Sequence, residues 1–386
     1  MIYLDNAATS WPKPDCVHEA MLAFLRDVGA SPGRSGHRLS IEAERFRFDA
    51  REALAELFGV SDPMRVIFTL NATQALNLVI RGLLPSGSHV VTTSMEHNSV
   101  MRPLAAAERR GVSVSLAPCR TDGSMDPDEL EQQVRPDTRL IVANHASNVC
   151  GTVLPIRTIG AIARRRGIPF LLDAAQTAGC RPINFAEDNI DLLAFSGHKT
   201  LLGPSGTGGL VISDGFDIAM LPPLTEGGTG SASERESQPE ILPDKYESGT
   251  PNSVGLAGLA AGVRYVLDRG VERIREHEQS MTCRLIVGLR RIPGVCVKGT
   301  EDADARTAAV SFTVDGRVSS EIAHALDERF DIMCRPGLQC APRAHRTLGT
   351  FPQGTVRLSP GPFTTPAEID QALEAVAALT RTRPND

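Results

Sequence analysis

Between about residues 64 and 213, short apolar runs alternate with helix-like stretches, and this alternation constrains the fold more than any other feature of the chain. The runs cover 66–69, 90–93, 112–117, 140–143, 169–173, 191–196 and 210–213. Most are apolar on consecutive residues, as in strands covered on both faces. Helix-like segments such as 73–84 and 156–166 lie between them. Strand–helix alternation predicts an α/β domain with a mainly parallel seven-stranded sheet and helices on both sides.

The flanks are helical at first. Residues 14–28 set Val17, Met21, Phe24, Leu25 and Val28 on one side of a helix. Ser40 is the expected N-cap of a second helix that ends at Phe58, with Gly59 as its stop. Asp122-Gly123 marks a turn before a short helix over 126–134. The polar, Gly- and Ser-rich stretch 225–253 predicts an exposed loop, and 251–270 a long connecting helix. The remainder reads as a smaller α+β domain. The expected division is therefore 14–255 for the large domain and 256–386, with 1–13, for the small one.

Composition narrows the function classes. With 46 acidic and 40 basic residues the net charge is -6, which leaves no basic footprint for nucleic acid. Aromatics at 4% offer little for base stacking. No apolar run is long enough to span a bilayer, and the first residues do not resemble a signal peptide. The eight cysteines are scattered without a C-x-x-C pair, which predicts reduced thiols in a cytoplasmic protein. Cys334, Cys340 and His345 fit no common zinc spacing, so no metal is expected.

In open α/β sheets ligands bind beyond the carboxyl ends of the strands. The polar residues after the runs are Asn71 and Thr73; Glu96, His97 and Asn98; His145 and Asn148; Asp173 and Gln176; and Ser196, His198 and Lys199. Singly, each is an ordinary cap or loop hydrogen bond. Together they supply what pyridoxal phosphate (PLP) requires. Lys199 is the expected Schiff-base lysine, and Asp173 the carboxylate that keeps the pyridine nitrogen protonated. Asn71-Ala-Thr73 opens a helix whose first N–H groups suit a phosphate, with Ser196 and His198 beside the lysine. His97 can stack on the ring, and Gln176 can reach its hydroxyl. Gly203-Pro-Ser-Gly-Thr-Gly-Gly209 lacks the Lys-Ser/Thr ending of a nucleotide loop and leads into a strand.

These residues resemble the cysteine desulfurases, specifically the Suf/Csd-like branch of the class V aminotransferases. The likeness rests on Tyr3-Leu-Asp-Asn-Ala-Ala-Thr-Ser10, Met95-Glu-His-Asn98, Ser147-Asn-Val-Cys-Gly-Thr152, Asp173-Ala-Ala-Gln176, Phe195-Ser-Gly-His-Lys199, Glu247-Ser-Gly-Thr-Pro-Asn252, and Cys340 ahead of Val356-Arg-Leu-Ser359. It implies a PLP-dependent transferase fold of type I and conversion of L-cysteine to L-alanine, with sulfur held as a persulfide on Cys340. By the same resemblance Thr73, Ser196 and His198 hold the phosphate. Thr250 reaches the phosphate of a second subunit, so a homodimer is implied. Asn148, Arg335 and Arg357 lie on the substrate side, with Arg357 as the carboxylate partner. Lys199, Cys340 and His97 form the expected catalytic set.

The segment around Cys340 is polar and turn-rich, which predicts an accessible loop. Arg335, Arg343 and His345 are close in sequence, and cationic neighbours favour a thiolate. Many relatives of the Suf type carry His directly before the cysteine, where this chain has Gln339. Selenocysteine lyase, a plain aminotransferase or another β-lyase are competing enzyme readings. A non-catalytic PLP-binding scaffold, partnered with a sulfur carrier, is the reading from another class. The expected partners are cysteine or selenocysteine and a sulfur-acceptor protein, with no nucleic acid and no membrane.

Overall fold

The computed structural model describes residues 1–33 and 35–381; residues 382–386 of the expected small domain lie outside these. In chain order the first elements are β1 (Ile2–Tyr3), α1 (Asp15–Ala23), α2 (Arg38–Phe58), β2 (Val66–Thr69), α3 (Ala72–Leu83), β3 (His89–Thr93), α4 (Asn98–Glu108), β4 (Ser113–Ala117), α5 (Pro127–Glu131) and β5 (Thr138–Asn144). Then come α6 (Ile156–Arg166), β6 (Phe170–Asp173), α7 (Phe185–Asp188), β7 (Leu192–Ser196), β8 (Gly208–Ile212), α8 (Ser253–Arg269) and α9 (Val271–Arg290). The last group is β9 (Val295–Lys298), β10 (Val310–Val314), α10 (Ser319–Phe330), β11 (Ile332–Met333), β12 (Arg335–Gly337), α11 (Pro342–Thr347), β13 (Thr355–Leu358) and α12 (Pro366–Arg381).

Seven strands form one sheet in the order β2-β8-β7-β6-β5-β3-β4. The adjacent pairs among β7, β6, β5, β3 and β4 are parallel, while β8 runs antiparallel to both its neighbours. The sheet is thus the mainly parallel one that the apolar runs predict. Consecutive residues feed opposite faces. Val91, Ile141, Leu172, Leu193 and Val211 join one apolar core, and Val90, Leu140, Leu171, Leu192 and Leu210 the other. Burying each such side chain stabilises the fold by about 1.5–3 kcal/mol.

A second sheet, β12-β13-β10-β9, is antiparallel throughout. It packs with α9 and α12 around Met281, Leu285, Phe312, Leu358, Ile369 and Val376. The N-terminal strand joins this region, since β1 pairs in parallel with β11. Helix α8 packs Leu256, Leu259 and Val263 into the core of the large sheet. A division near Gly270 therefore follows the packing better than one at 255.

Several local expectations differ from the structure. The helix expected over 14–28 becomes α1 followed by a π-turn at Phe24–Val28, closed by Gly29 in the left-handed region at φ 55°. The wider turn rotates the face, so Phe24 is buried while Leu25 is 58% exposed. The N-cap of α2 is His37, whose Nδ1 accepts from the Ser40 N–H. Ser40 instead donates its hydroxyl to the Ser31 carbonyl. Helix α5 is shorter than the expected 126–134, although Asp126 caps it. The 225–252 stretch contains no helix or strand. Among the described residues no helix is long and apolar enough to cross a membrane.

Candidate active site

The carboxyl ends of β5, β6 and β7 fall on one edge because these strands run parallel. A cavity of about 210 Å³ opens there. It is lined by Thr73, His97, Asn148, Asp173, Gln176, Ser196, His198 and Lys199, together with Asn71, Ser99 and Asn144. Every PLP-binding residue expected from the sequence except Thr250 is among them.

The wall near α3 suits an anion. Asn71 caps this twelve-residue helix by accepting from the Gln74 N–H. Ser196 Oγ accepts from the Ala72 N–H at 3.3 Å, which brings the end of β7 against the helix N-terminus. Thr73 Oγ1 lies 2.7 Å from Ser99 Oγ, and Ser99 Oγ lies 2.8 Å from His97 Nδ1. His97 also caps α4, its Nδ1 accepting from the Ser99 N–H at 3.0 Å. Burial, with the charges of Lys199, Arg335, Arg102 and Arg357, lowers the His97 pKa to about 4. His97 is therefore a neutral flat ring at physiological pH.

Lys199 is half-buried, and dehydration brings its amine down to about 8 against the opposing pull of Asp173. Burial raises the Asp173 carboxyl, countered by the Ala175 N–H, which donates to it at 3.0 Å, and by Lys199. His198 contributes its carbonyl to the N-terminal segment, accepting from the Ser10 N–H and the Lys13 ammonium. Gln176 donates its amide to the Ala7 carbonyl at 3.0 Å, so the same segment fixes the side chain expected at the ring hydroxyl.

The fit to a cofactor can be read from the cavity itself. His198 Nδ1, Asn144 Oδ1 and Asn148 Oδ1 are buried and have no hydrogen-bond partner among the described residues. All three belong to lining residues. An unmade bond of this kind costs about 1–3 kcal/mol, so the cavity is built for a polar occupant. The donor set, with a lysine amine, a buried carboxylate, a neutral imidazole and a helix N-terminus, fits PLP.

The Cys340 loop joins this site through its backbone. Asn148 Nδ2 donates to the Gln339 carbonyl at 2.7 Å, and the Asn98 N–H to the Cys340 carbonyl at 2.9 Å. Gln339 and Cys340 both sit in the left-handed region, at φ 41° and 59°. Such conformations cost about 1–3 kcal/mol each and persist only where surroundings impose them. Gln339 supplies that constraint. It is buried, donates to the Arg335 and Thr355 carbonyls at 3.2 and 3.0 Å, and lies 2.8 Å from His345 Nε2. The Cys340 side chain is exposed, with Arg335 Nη2 3.5 Å from its sulfur.

His345 departs from its expected role. It is fully buried, bonded to Thr350 and Gln339, and burial lowers its pKa to about 4. It is a neutral strut of the loop, and no cation for the thiol. Arg357 is buried too. Nη2 donates to Asp5 at 2.6 Å and Nη1 to the Asn148 carbonyl at 2.8 Å, while Nε has no partner among the described residues. Thr250 lies elsewhere. It is exposed beside a separate cavity of about 260 Å³, in a segment anchored where Glu247 pairs with Arg51 at 2.6 Å.

Sequence reasoning missed Ser99, Asn144 and Asp5. Glu96 was noted only as a strand-end residue. It is fully buried, accepts from Thr93 and from the Asn144 N–H, and is pushed up to about 8 by burial. Glu96 is thus a neutral acid, while Asp173 faces the charge of Lys199.

The Aminotransferase class-V family profile matches residues 2–372. A probable cysteine desulfurase of Methanothermobacter thermautotrophicus is 34% identical, over 98% of this chain and 95% of that protein. One from Halobacterium salinarum is 35% identical, over 97% and 91%. Among solved structures, the apo cysteine desulfurase of Thermococcus onnurineus superposes with a TM-score of 0.91 at 32% identity, covering 98% of this chain and 94% of the other. The Escherichia coli cysteine desulfurase CsdA, in an S-sulfonic acid form, gives 0.85 at 27% identity, over 97% and 94%. With the cavity, its lysine and the whole-length match in agreement, this chain belongs to the class V aminotransferases, within the cysteine desulfurase family.

Proposed function

We propose that this chain is a PLP-dependent cysteine desulfurase that converts L-cysteine to L-alanine and carries the released sulfur as a persulfide on Cys340. The observation that carries the reading is the tie between loop and cavity. Asn148, which lines the lysine cavity, and Asn98, between the lining residues His97 and Ser99, hold the carbonyls of Gln339 and Cys340 and leave the thiol exposed.

When bound, PLP supplies an electron sink for the substrate Cα. Thr73, Ser196 and His198 would hold its phosphate, Asp173 its pyridine nitrogen and Gln176 its hydroxyl, with His97 beside the ring. Lys199 would hold the cofactor, and its free amine would take the Cα proton and return it. Arg357 and Arg335 set positive charge opposite the substrate carboxylate. Cys340 sulfur then forms a bond to the substrate sulfur as the carbon–sulfur bond breaks. The atoms balance: cysteine and one thiol become alanine and one persulfide.

Thr250 lies outside the cavity of its own chain, which supports a homodimer in which it completes the phosphate site of the partner. An exposed Cys340 suits delivery to a thiol acceptor, on a protein or a small molecule. The eight free cysteines suit a reducing cytoplasm. We take the large domain to carry the cofactor and the small one, which includes residues 1–13, to carry the cysteine loop.

The test is Cys340→Ala assayed with cysteine and selenocysteine. The variant should keep the absorbance of bound cofactor and lose alanine and sulfide production from cysteine. Unchanged sulfide release by the variant, with reductant present, would overturn the role of Cys340.

A further inference from the structure

Lys199 lines the cofactor cavity, and once cofactor and substrate fill that cavity, protons it takes from substrate need another route to water. Behind it lies a second cavity, of about 20 Å³, that Lys199 and Gln176 share with the cofactor cavity. Its far wall is Glu278 of α9, beside Cys180. Glu278, Cys180, Thr307 and Ala308 also line a third cavity, of about 10 Å³, which extends to Arg181, Arg275 and Gln279 on the half-exposed surface. A cavity needs roughly 10–15 Å³ of such volume to hold one water. The two small cavities thus have room for about one water each, on either side of one carboxyl group.

We propose that Glu278 is the inner station of a proton path that connects Lys199 to solvent from behind the cofactor cavity. The inference rests on the reading that Lys199 moves the substrate Cα proton. Glu278 touches neither substrate nor cofactor and acts only through water and Lys199. In one cycle the Lys199 ammonium gives a proton to the inner water. That water gives one to a Glu278 oxygen, and the other oxygen of the same carboxyl releases one to the outer water. The same steps in reverse bring a solvent proton back to the Lys199 amine, so each group returns to its starting state and the net change is one proton exchanged with solvent.

The electrostatics suit a relay. Burial raises the Glu278 carboxyl to about 8, close to the value to which burial lowers Lys199. Nearly matched groups pass a proton either way at little cost. The groups that face Glu278 are few. Cys180 shares both small cavities with it, its thiol donating to the Gln176 carbonyl at 3.4 Å, and Arg181 acts on Glu278 through its charge. At the mouth, Arg275 pairs with Asp304 at 3.5 Å, and Arg181 donates to the Asp304 carbonyl. The path lies where α9 meets the strand-end loops, and Cys340 lines neither small cavity.

The test follows deuterium from cysteine labelled at Cα into alanine, in ordinary water. In the wild-type holoenzyme the label should wash out to solvent. In Glu278→Gln, which keeps the shape of the side chain, label in alanine should rise towards roughly one third per proton returned, the share of one deuterium among three ammonium hydrogens. Ala308→Val fills volume common to both small cavities and should raise retention in the same way, with the carboxyl intact. Alanine formed with unchanged retention in both variants would overturn the path. Failure of the wild type to make alanine would instead strike the functional reading beneath it. A separate readout needs no turnover: a high-resolution crystal structure of the cofactor-free protein should show ordered water on each side of Glu278, and dry cavities would overturn the path.

Discussion

Lys199 and Cys340 serve one cavity from opposite kinds of structure. Lys199 follows β7, a strand with hydrogen-bonded neighbours on both sides, and the carbonyl before it is held by the N-terminal segment. Its surroundings are dry, and that dryness brings the amine to about 8. Cys340 sits in a loop, on left-handed backbone, with its side chain in solvent. Its main chain is fixed, and its sulfur meets Arg335 Nη2 at 3.5 Å. The contrast follows from what each atom has to do. A base must be stripped of water so that its proton affinity suits the reaction. A sulfur carrier must reach substrate on one side and an acceptor on the other. The sheet supplies the first condition and the loop the second.

The largest effect that can test this separation is at the sheet. Lys199→Ala should abolish covalent cofactor attachment and reduce alanine formation by about 10²–10⁴-fold, the usual contribution of a positioned acid–base group. Absorbance spectra and product assays check it, and turnover near that of the wild type would break the assignment. The next effect is at the loop. Gln339→Ala removes the bonds that hold two left-handed residues in place and should destabilise the protein by about 1–3 kcal/mol. Sulfide production should fall while cofactor absorbance stays as it was. An equal loss of cofactor binding would show that the two regions are not separable. The smallest effect is one of pH. Cofactor-free protein should capture PLP faster as pH rises from about 7 to about 9, because Lys199 loses its proton in that range. A rate that keeps climbing towards the ordinary lysine value would show that the amine is not dehydrated.

The sheet was legible because burial on both faces writes itself as consecutive apolar residues. Val90 and Val91 go to opposite cores, and so do Leu192 and Leu193. The strand ends then followed, and with them the residues from Thr73 to Lys199 that line one cavity. What escaped depends on distance along the chain or on subtle turns. The pairing of Asp5 with Arg357 joins opposite ends of the sequence, and no local pattern announces it. Leu25 leaves the core because one turn of helix is wider, and the periodicity of 14–28 carries no mark of this. His345 reads as a cation in a polar loop and becomes a neutral strut only once Gln339 and Thr350 enclose it. Ser99 did carry a signal, since it stands two residues after His97 at the start of a helix, where capping is expected.

The seating of the N-terminal residues has a consequence for the order in which the protein is made. Ile2 pairs with Ile332, Asp5 with Arg357, and the Ala7 N–H donates to Ser359, 352 positions further along. Ala7 in turn accepts from Gln176, and Ser10 donates to the carbonyl of His198. Residues 2–10 therefore have no permanent place until the chain as far as Ser359 has been made. The large sheet can collapse on its own local contacts during synthesis, but contacts this remote form late. Residues 2–10 are translated long before the segments that seat them, and a nascent chain holds an unfinished pocket until β13 arrives.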